Sequence, residues 1–192
     1  METEWKSQLR RKYPGGLDRR AQRSEACERR SRRSRDREKL GLGIATKLTQ
    51  KEADMLIDML KKTVEKQIQF PHSKGRVEFD VLGDRREDVF VINISRKGIN
   101  SKGASYQGRV RASGVILLRL DVNPTAIHTN PDGEKVSGTH LHIYTEEHDM
   151  TYAMPFDAGN NNLYELCYAF FDRFHVIEKP LITLQMSLPL EV

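Results

Sequence analysis

Hydrophobic and polar positions along the chain change their period twice. From Lys51 onward Ala53, Leu56, Met59, Leu60, Val64 and Ile68 recur at three- and four-residue spacing, which predicts an amphipathic helix over 51–66 that ends before Pro71. Thr49 with Glu52 three residues later reads as a capping box, in which each side chain satisfies a free backbone amide at the helix start. The period then drops to two. Val77, Phe79 and Val81 alternate over 76–82, Gly83-Asp84 forms a turn, and 88–96 is the expected hairpin partner. A weaker strand is predicted over 101–113, among Gly103, Gly108 and Gly114. The strongest covers 115–122, with Ile116, Leu118, Leu120 and Val122 on one face and Val115, Leu117, Arg119 and Asp121 on the other. Shorter strands are expected over 139–145 and 151–156. After Asn160–Asn162 the helical period returns over 163–175 with Leu163, Leu166, Cys167, Phe170, Phe171 and Phe174, and a last strand is predicted over 181–186. This order predicts an α+β fold: a mainly antiparallel sheet packed on one side by an N-terminal and a C-terminal helix, and preceded by an Arg-rich tail.

Charge divides the chain. Residues 1–40 carry 14 Lys and Arg against 7 Asp and Glu, whereas the whole chain of 192 residues has 32 against 27. The excess positive charge therefore belongs to the tail. Arg29, Arg30, Arg32, Arg33, Arg35 and Arg37 lie in a stretch that cannot bury an apolar face. The expectation is a disordered or loosely helical tail over 1–44 and a single α+β domain over 45–192. Clustered guanidinium groups neutralise phosphates and release counterions, so nucleic acid or another polyanion is the partner such a tail would take. A solvated, solubilising tail is the plain alternative. Cys27 and Cys167 make no disulfide framework and fit a reducing compartment. No apolar run approaches the roughly 18–20 residues of a membrane span, and the start lacks the apolar core of a secretory signal. Cytoplasmic placement with no membrane contact is expected.

Chemistry concentrates in one short region. His140-Leu141-His142-Ile143-Tyr144 puts two imidazoles and a phenol on one face of a strand and two aliphatic residues on the other. Just upstream, His128 precedes the turn Asn130-Pro131-Asp132-Gly133. Histidines at i and i+2 converge over one sheet face, and a catalytic zinc commonly takes three protein ligands and leaves one position open. His140, His142 and His128 are thus candidate ligands for one divalent metal, zinc or manganese. Asp132, Glu134 or Glu147 is a candidate fourth ligand or base, and His148 a less favoured substitute ligand. If the strand of Arg119 and Asp121 neighbours that of the histidines, the two polar faces merge into a cleft able to bind phosphate through Arg119 and move protons through a histidine. Three readings stay open: a metal site, a metal-free cleft, and an ordinary polar surface with an Arg119–Asp121 ion pair. No P-loop, dinucleotide fingerprint, nucleophile elbow or Cys-x-x-Cys is present.

From about Leu48 to Phe174, the blocks Leu118-Arg119-Leu120-Asp121, His128-Thr129-Asn130-Pro131-Asp132-Gly133 and His140-Leu141-His142-Ile143-Tyr144 resemble a family of short, functionally uncharacterised bacterial proteins of Firmicutes and their mobile elements. The segment 153–156 also resembles that pattern. The resemblance implies that the polar face is the family's shared feature, and it supplies no reaction. The Arg-rich tail lies outside it, and Glu146-Glu147-His148 departs from the glutamate–glycine turn of the pattern. Its mobile-element setting implies a part in phage–host conflict. Two functions follow as expectations. One is a metal-dependent phosphodiester hydrolase of the nuclease or toxin type, with His128, His140 and His142 as ligands and Arg119, Asp121, Asp132 and Tyr144 as catalytic groups. The other is a non-enzymatic inhibitor of a host defence nuclease, with a host protein as target and at most a structural metal.

Overall fold

Thr49 caps the first helix as its spacing predicts. Its hydroxyl accepts from the Glu52 amide, while its own amide donates to the Glu52 carboxylate at 2.9 Å. The computed structural model describes residues 47–96 and 103–184, and everything below concerns these; the expected Arg-rich tail, with Arg29, Arg30, Arg32, Arg33, Arg35 and Arg37, lies outside the described residues. Helix α1 (Gln50–Asp58) leads into β1 (Lys61–Thr63) and β2 (Gln67–Gln69), then β3 (Arg76–Leu82), β4 (Val89–Arg96), β5 (Ala104–Val110) and β6 (Ile116–Val122). A small hairpin, β7 (Ile127–Thr129) and β8 (Lys135–Ser137), precedes β9 (His140–Ile143) and β10 (Ala153–Pro155). Helix α2 (Leu163–Arg173), β11 (Val176–Glu178) and β12 (Leu181–Thr183) follow.

The result is the expected α+β architecture. Eight strands form one sheet in the order β10-β9-β6-β5-β4-β3-β1-β11, antiparallel except for the β1–β11 pair. Two two-stranded sheets, β2–β12 and β7–β8, stand beside it. Ala53 and Ile57 of α1, Phe170 and Phe171 of α2, and Phe174 just beyond it share one core with Phe79, Phe90, Ile92, Tyr106, Leu118 and Leu120 of the sheet. Edge-on aromatic contacts knit the layers, with Phe90–Phe174 centroids 5.8 Å apart and Phe79–Phe171 6.1 Å apart. Alternation sends Glu78, Asn93, Ser105, Gln107, Arg119 and Asp121 to the opposite sheet face.

Two local readings are corrected. The predicted helix over 51–66 stops at Asp58, and Leu60 and Val64 are exposed rather than packed. The chain leaves the helix to place β1 between β3 and β11, and there Lys61 is fully buried. Its ammonium donates to the Ile57 and Met59 carbonyls at 2.8 and 2.7 Å, satisfying acceptors that the helix end leaves open, and it lies over the Phe174 and Phe90 rings. A long-range strand partner thus overrides a helical period. In the second case a register shift between Gly108 and Arg109 leaves Leu117 as an extra residue between Leu118 and Ile116. Leu117 consequently joins the core with Leu118 instead of sharing the polar face of Arg119 and Asp121.

Gly108 is where this bulged pair meets the helix layer: a Cβ there would lie 2.7 Å from Phe174 Cε1 and Cζ. Gly108→Ala should destabilise the fold by about 1–3 kcal/mol, as overpacking does. Urea unfolding measures this, and an unchanged midpoint would contradict the packing described. Burial pushes the Lys61 ammonium down from 10.5 to about 7, with Asp58 and Asp84 acting in the opposite direction. Between those values the unfolded chain binds more protons than the native one, so stability should rise with pH, by at most about 1.4 kcal/mol per unit. Comparing wild type with Lys61→Met from pH 7 to 10 isolates the effect: the rise should be missing from the variant.

Candidate metal centre

Register assembles the site. In the β6–β9 pair Arg119 stands opposite His142 and Asp121 opposite His140, so the Arg-Asp and His-His faces are one face. On the other side of β6, Ser105 and Gln107 of β5 stand opposite Asp121 and Arg119. The β7–β8 hairpin, turned by Asn130-Pro131-Asp132-Gly133 with Gly133 at φ +90°, brings His128 to the two strand histidines. Ring centroids are 5.4 Å apart for His128–His140, 4.9 Å for His128–His142 and 5.1 Å for His140–His142. Each ring offers a nitrogen within 4.8 Å of the nitrogens offered by the other two.

Backbone carbonyls determine which nitrogens carry hydrogens. His140 Nδ1 donates to the Gly138 carbonyl at 2.8 Å, His142 Nδ1 to that of Tyr152 at 3.1 Å, and His128 Nε2 to that of Thr151 at 3.0 Å. A carbonyl oxygen only accepts, so these three nitrogens carry hydrogens. In the neutral rings the lone pairs are then left on His140 Nε2, His142 Nε2 and His128 Nδ1. His142 Nε2 is buried and has no hydrogen-bond partner. Across from the strand histidines lies the Asp121 carboxylate, with Oδ2 3.8 Å from His140 Nε2 and 3.6 Å from His142 Nε2. Lone pairs beside a carboxylate repel it, a conflict that a cation bound on the histidines would relieve.

Asp121 is itself held in place. Ser105 Oγ donates to Oδ1 at 2.6 Å, and Arg119 Nε donates to Oδ2 at 3.0 Å. His140 is 5% and His142 0% exposed, so few ligand motions are open to them. Burial, then the Arg119 charge, hold the His142 imidazole down from 6.5 to about 4, with Asp121 opposing.

Other predicted residues lie elsewhere. Tyr144 follows the end of β9; its hydroxyl accepts from the Leu48 amide and donates to the Leu48 carbonyl, both at 3.0 Å, and its ring is in the core. The strand alternation that would align it with the histidines ends at Ile143. Asp132 serves the turn: Oδ1 accepts from the Glu134 amide and Oδ2 from the Tyr152 hydroxyl, and these bonds lower its pKa. Glu134 also accepts from Tyr152, while His148 stacks on the Tyr152 ring and Nε2 lies 3.7 Å from Glu147. Cys167 is buried in the core, and burial raises its thiol pKa. Ser105 and the Thr151 and Tyr152 carbonyls escaped sequence reasoning. Alternation along β5 marks the face of Ser105, whereas the carbonyl partners have no side-chain signal at all.

In chelator-treated protein, the unfolded chain binds more protons than the native state between about pH 4 and 6.5, because His142 resists protonation when folded. Stability should therefore fall as pH drops through this window, by up to about 3 kcal/mol. His142→Leu should flatten that slope; an equally steep loss in the variant, followed by denaturant titration, would contradict the burial argument.

No curated protein and no solved structure matches the chain. A family model described only as a family of unknown function, DUF6978, matches residues 48–176, which span both helices, the His128 hairpin and all three candidate ligands. The chain belongs to this DUF6978 family of unknown function.

Proposed function

We propose that the protein holds one divalent transition metal, zinc or manganese, on His128 Nδ1, His140 Nε2 and His142 Nε2, and works as a metal-dependent phosphodiester hydrolase. One observation supports this above all. Three rings each donate one N–H to a backbone carbonyl and so keep one nitrogen free, and each ring offers a nitrogen to a mutually close group beside an oriented carboxylate. Ligating histidines show this arrangement, because the outer hydrogen bond fixes both tautomer and ring direction. A bound divalent metal supplies Lewis acidity and lowers the pKa of water.

The chain's own residues supply the rest. Asp121, braced by Ser105 and Arg119, would act as a base that takes a proton from an attacking water. Arg119 lies beside it, opposite His142 on the same face, where its charge favours an anionic substrate. The hydrolytic reading requires that Asp121 remain a base. If it ligates the metal, the site has four protein donors and is structural, and the protein is then better read as a binding protein of a mobile element, acting on a host defence nuclease.

Metal content of the purified full chain, paired with hydrolysis of bis(4-nitrophenyl) phosphate and of single-stranded RNA and DNA, tests the proposal. The expected result is about one equivalent of metal, lost in His140→Ala/His142→Ala, with metal-dependent cleavage. Asp121→Asn should retain metal and lose about 100-fold or more in rate, the typical contribution of a general base. Metal retained without cleavage of any substrate would remove the hydrolase and leave the structural reading. Absence of metal in wild type, with no zinc- or manganese-induced rise in Tm, would remove the centre itself.

A further inference from the structure

The segment from Thr151 to Ala153 does something no side chain on it reveals. Its three consecutive carbonyls accept hydrogen bonds from three different residues: Thr151 from His128 Nε2, Tyr152 from His142 Nδ1, and Ala153 from Asn130 Nδ2 at 2.9 Å. Asn130 closes the pattern, since its Oδ1 also accepts from the Ala153 amide at 2.8 Å. One amide side chain thus takes up both backbone groups of Ala153. Asn130 is 3% exposed, and both of these bonds are buried. In the hairpin its amide donates to the Glu134 carbonyl and its carbonyl accepts from the Gly133 amide.

Asn130 therefore ties the hairpin that carries His128 to the strand end that orients His142. The tie is needed because β7 and β8 are three-residue strands in a sheet of their own, and a lone two-stranded hairpin is marginally stable in water. The main sheet alone does not position His128. A buried amide pair is also directional: displacement of the hairpin by an ångström leaves a buried donor and acceptor unsatisfied, which is costly.

We propose that Asn130 is a positioning residue of the metal centre: it sets metal affinity, and the ring tautomers of His128 and His142, through the Thr151–Ala153 backbone without touching the metal. The proposal rests on the three-histidine metal reading above. It predicts that Asn130→Asp, which keeps size and the acceptor for the Ala153 amide but loses the donor to the Ala153 carbonyl, weakens zinc binding. The expected loss is about 10- to 100-fold, the usual cost of removing an outer-shell partner.

The experiment uses the full chain, stripped of metal and checked for a folded circular dichroism spectrum. Zinc affinity is measured by competition with a chromogenic chelator in wild type, Asn130→Asp and Asn130→Ala. Nitrogen-15 correlation spectra of the imidazoles report tautomers in the same samples. The proposal expects wild type to show one tautomer each for His128 and His142, and the variants to show tautomer exchange together with weaker zinc binding. If Asn130→Ala does not fold, the Asp variant carries the test. A folded variant with lower Tm but unchanged zinc affinity and tautomers would make Asn130 a purely structural residue and overturn the proposal while leaving the metal centre standing. A wild type that binds no zinc would overturn both.

Discussion

The register of β6 against β9 is the constraint on which the candidate site depends. Pairing Arg119 with His142 and Asp121 with His140 puts four polar side chains on one face and Leu118, Leu120 and Leu141 in the core. A slip by one residue would send both histidines into the apolar layer and the leucines out to the polar face, so burial enforces the register strongly. The β7–β8 hairpin and the Thr151–Ala153 segment only complete what this pairing begins. On the other face of the sheet Phe170 stacks on Tyr106 of β5, and Phe174 lies where a Cβ on Gly108 would be.

Histidines clustered on a sheet are not by themselves a site. In the proposed centre the backbone gives this cluster its direction. Each ring gives one nitrogen to a carbonyl, and that bond decides where the lone pair goes. Burial supplies the second element: a shielded His142 stays neutral into mildly acidic conditions, so its Nε2 is available as a donor. Asp121 supplies the third, a carboxylate fixed by Ser105 and Arg119 within 4 Å of two Nε2 atoms. Hydrogen bonding, burial and charge each act on the same few atoms.

Lys61 shows the same physics used for structure. A buried ammonium is costly, and here it is offset by two helix-end carbonyls and two aromatic faces. Its placement shortens α1 and lets β1 enter the sheet between β3 and β11. Local periodicity favoured a longer helix, and tertiary pairing prevailed because a strand in that slot satisfies backbone groups on both of its edges.

Much of this protein was legible in its sequence. Alternation marked β3 and β6, the Gly83-Asp84 turn marked β4 as a hairpin partner, capping residues marked the start of α1, and apolar spacing marked α2, because these signals depend on local geometry and on which face is buried. The same alternation put His140 and His142 on one face, and the Asn-Pro-Asp-Gly turn indicated how His128 could return to them. Other features required the folded chain. Whether β6 neighbours β9, whether Tyr144 still belongs to the strand, and whether Leu117 faces inward depend on long-range pairing, on where β9 stops and on a bulge. The roles of Ser105 and Asn130, and of the carbonyls that orient the rings, depend on contacts between residues distant in sequence. The sequence by itself determined which residues could do chemistry and that His140 and His142 share a face; only tertiary structure decided which of the candidates meet, because convergence depends on the pairing of strands that local periodicity does not encode.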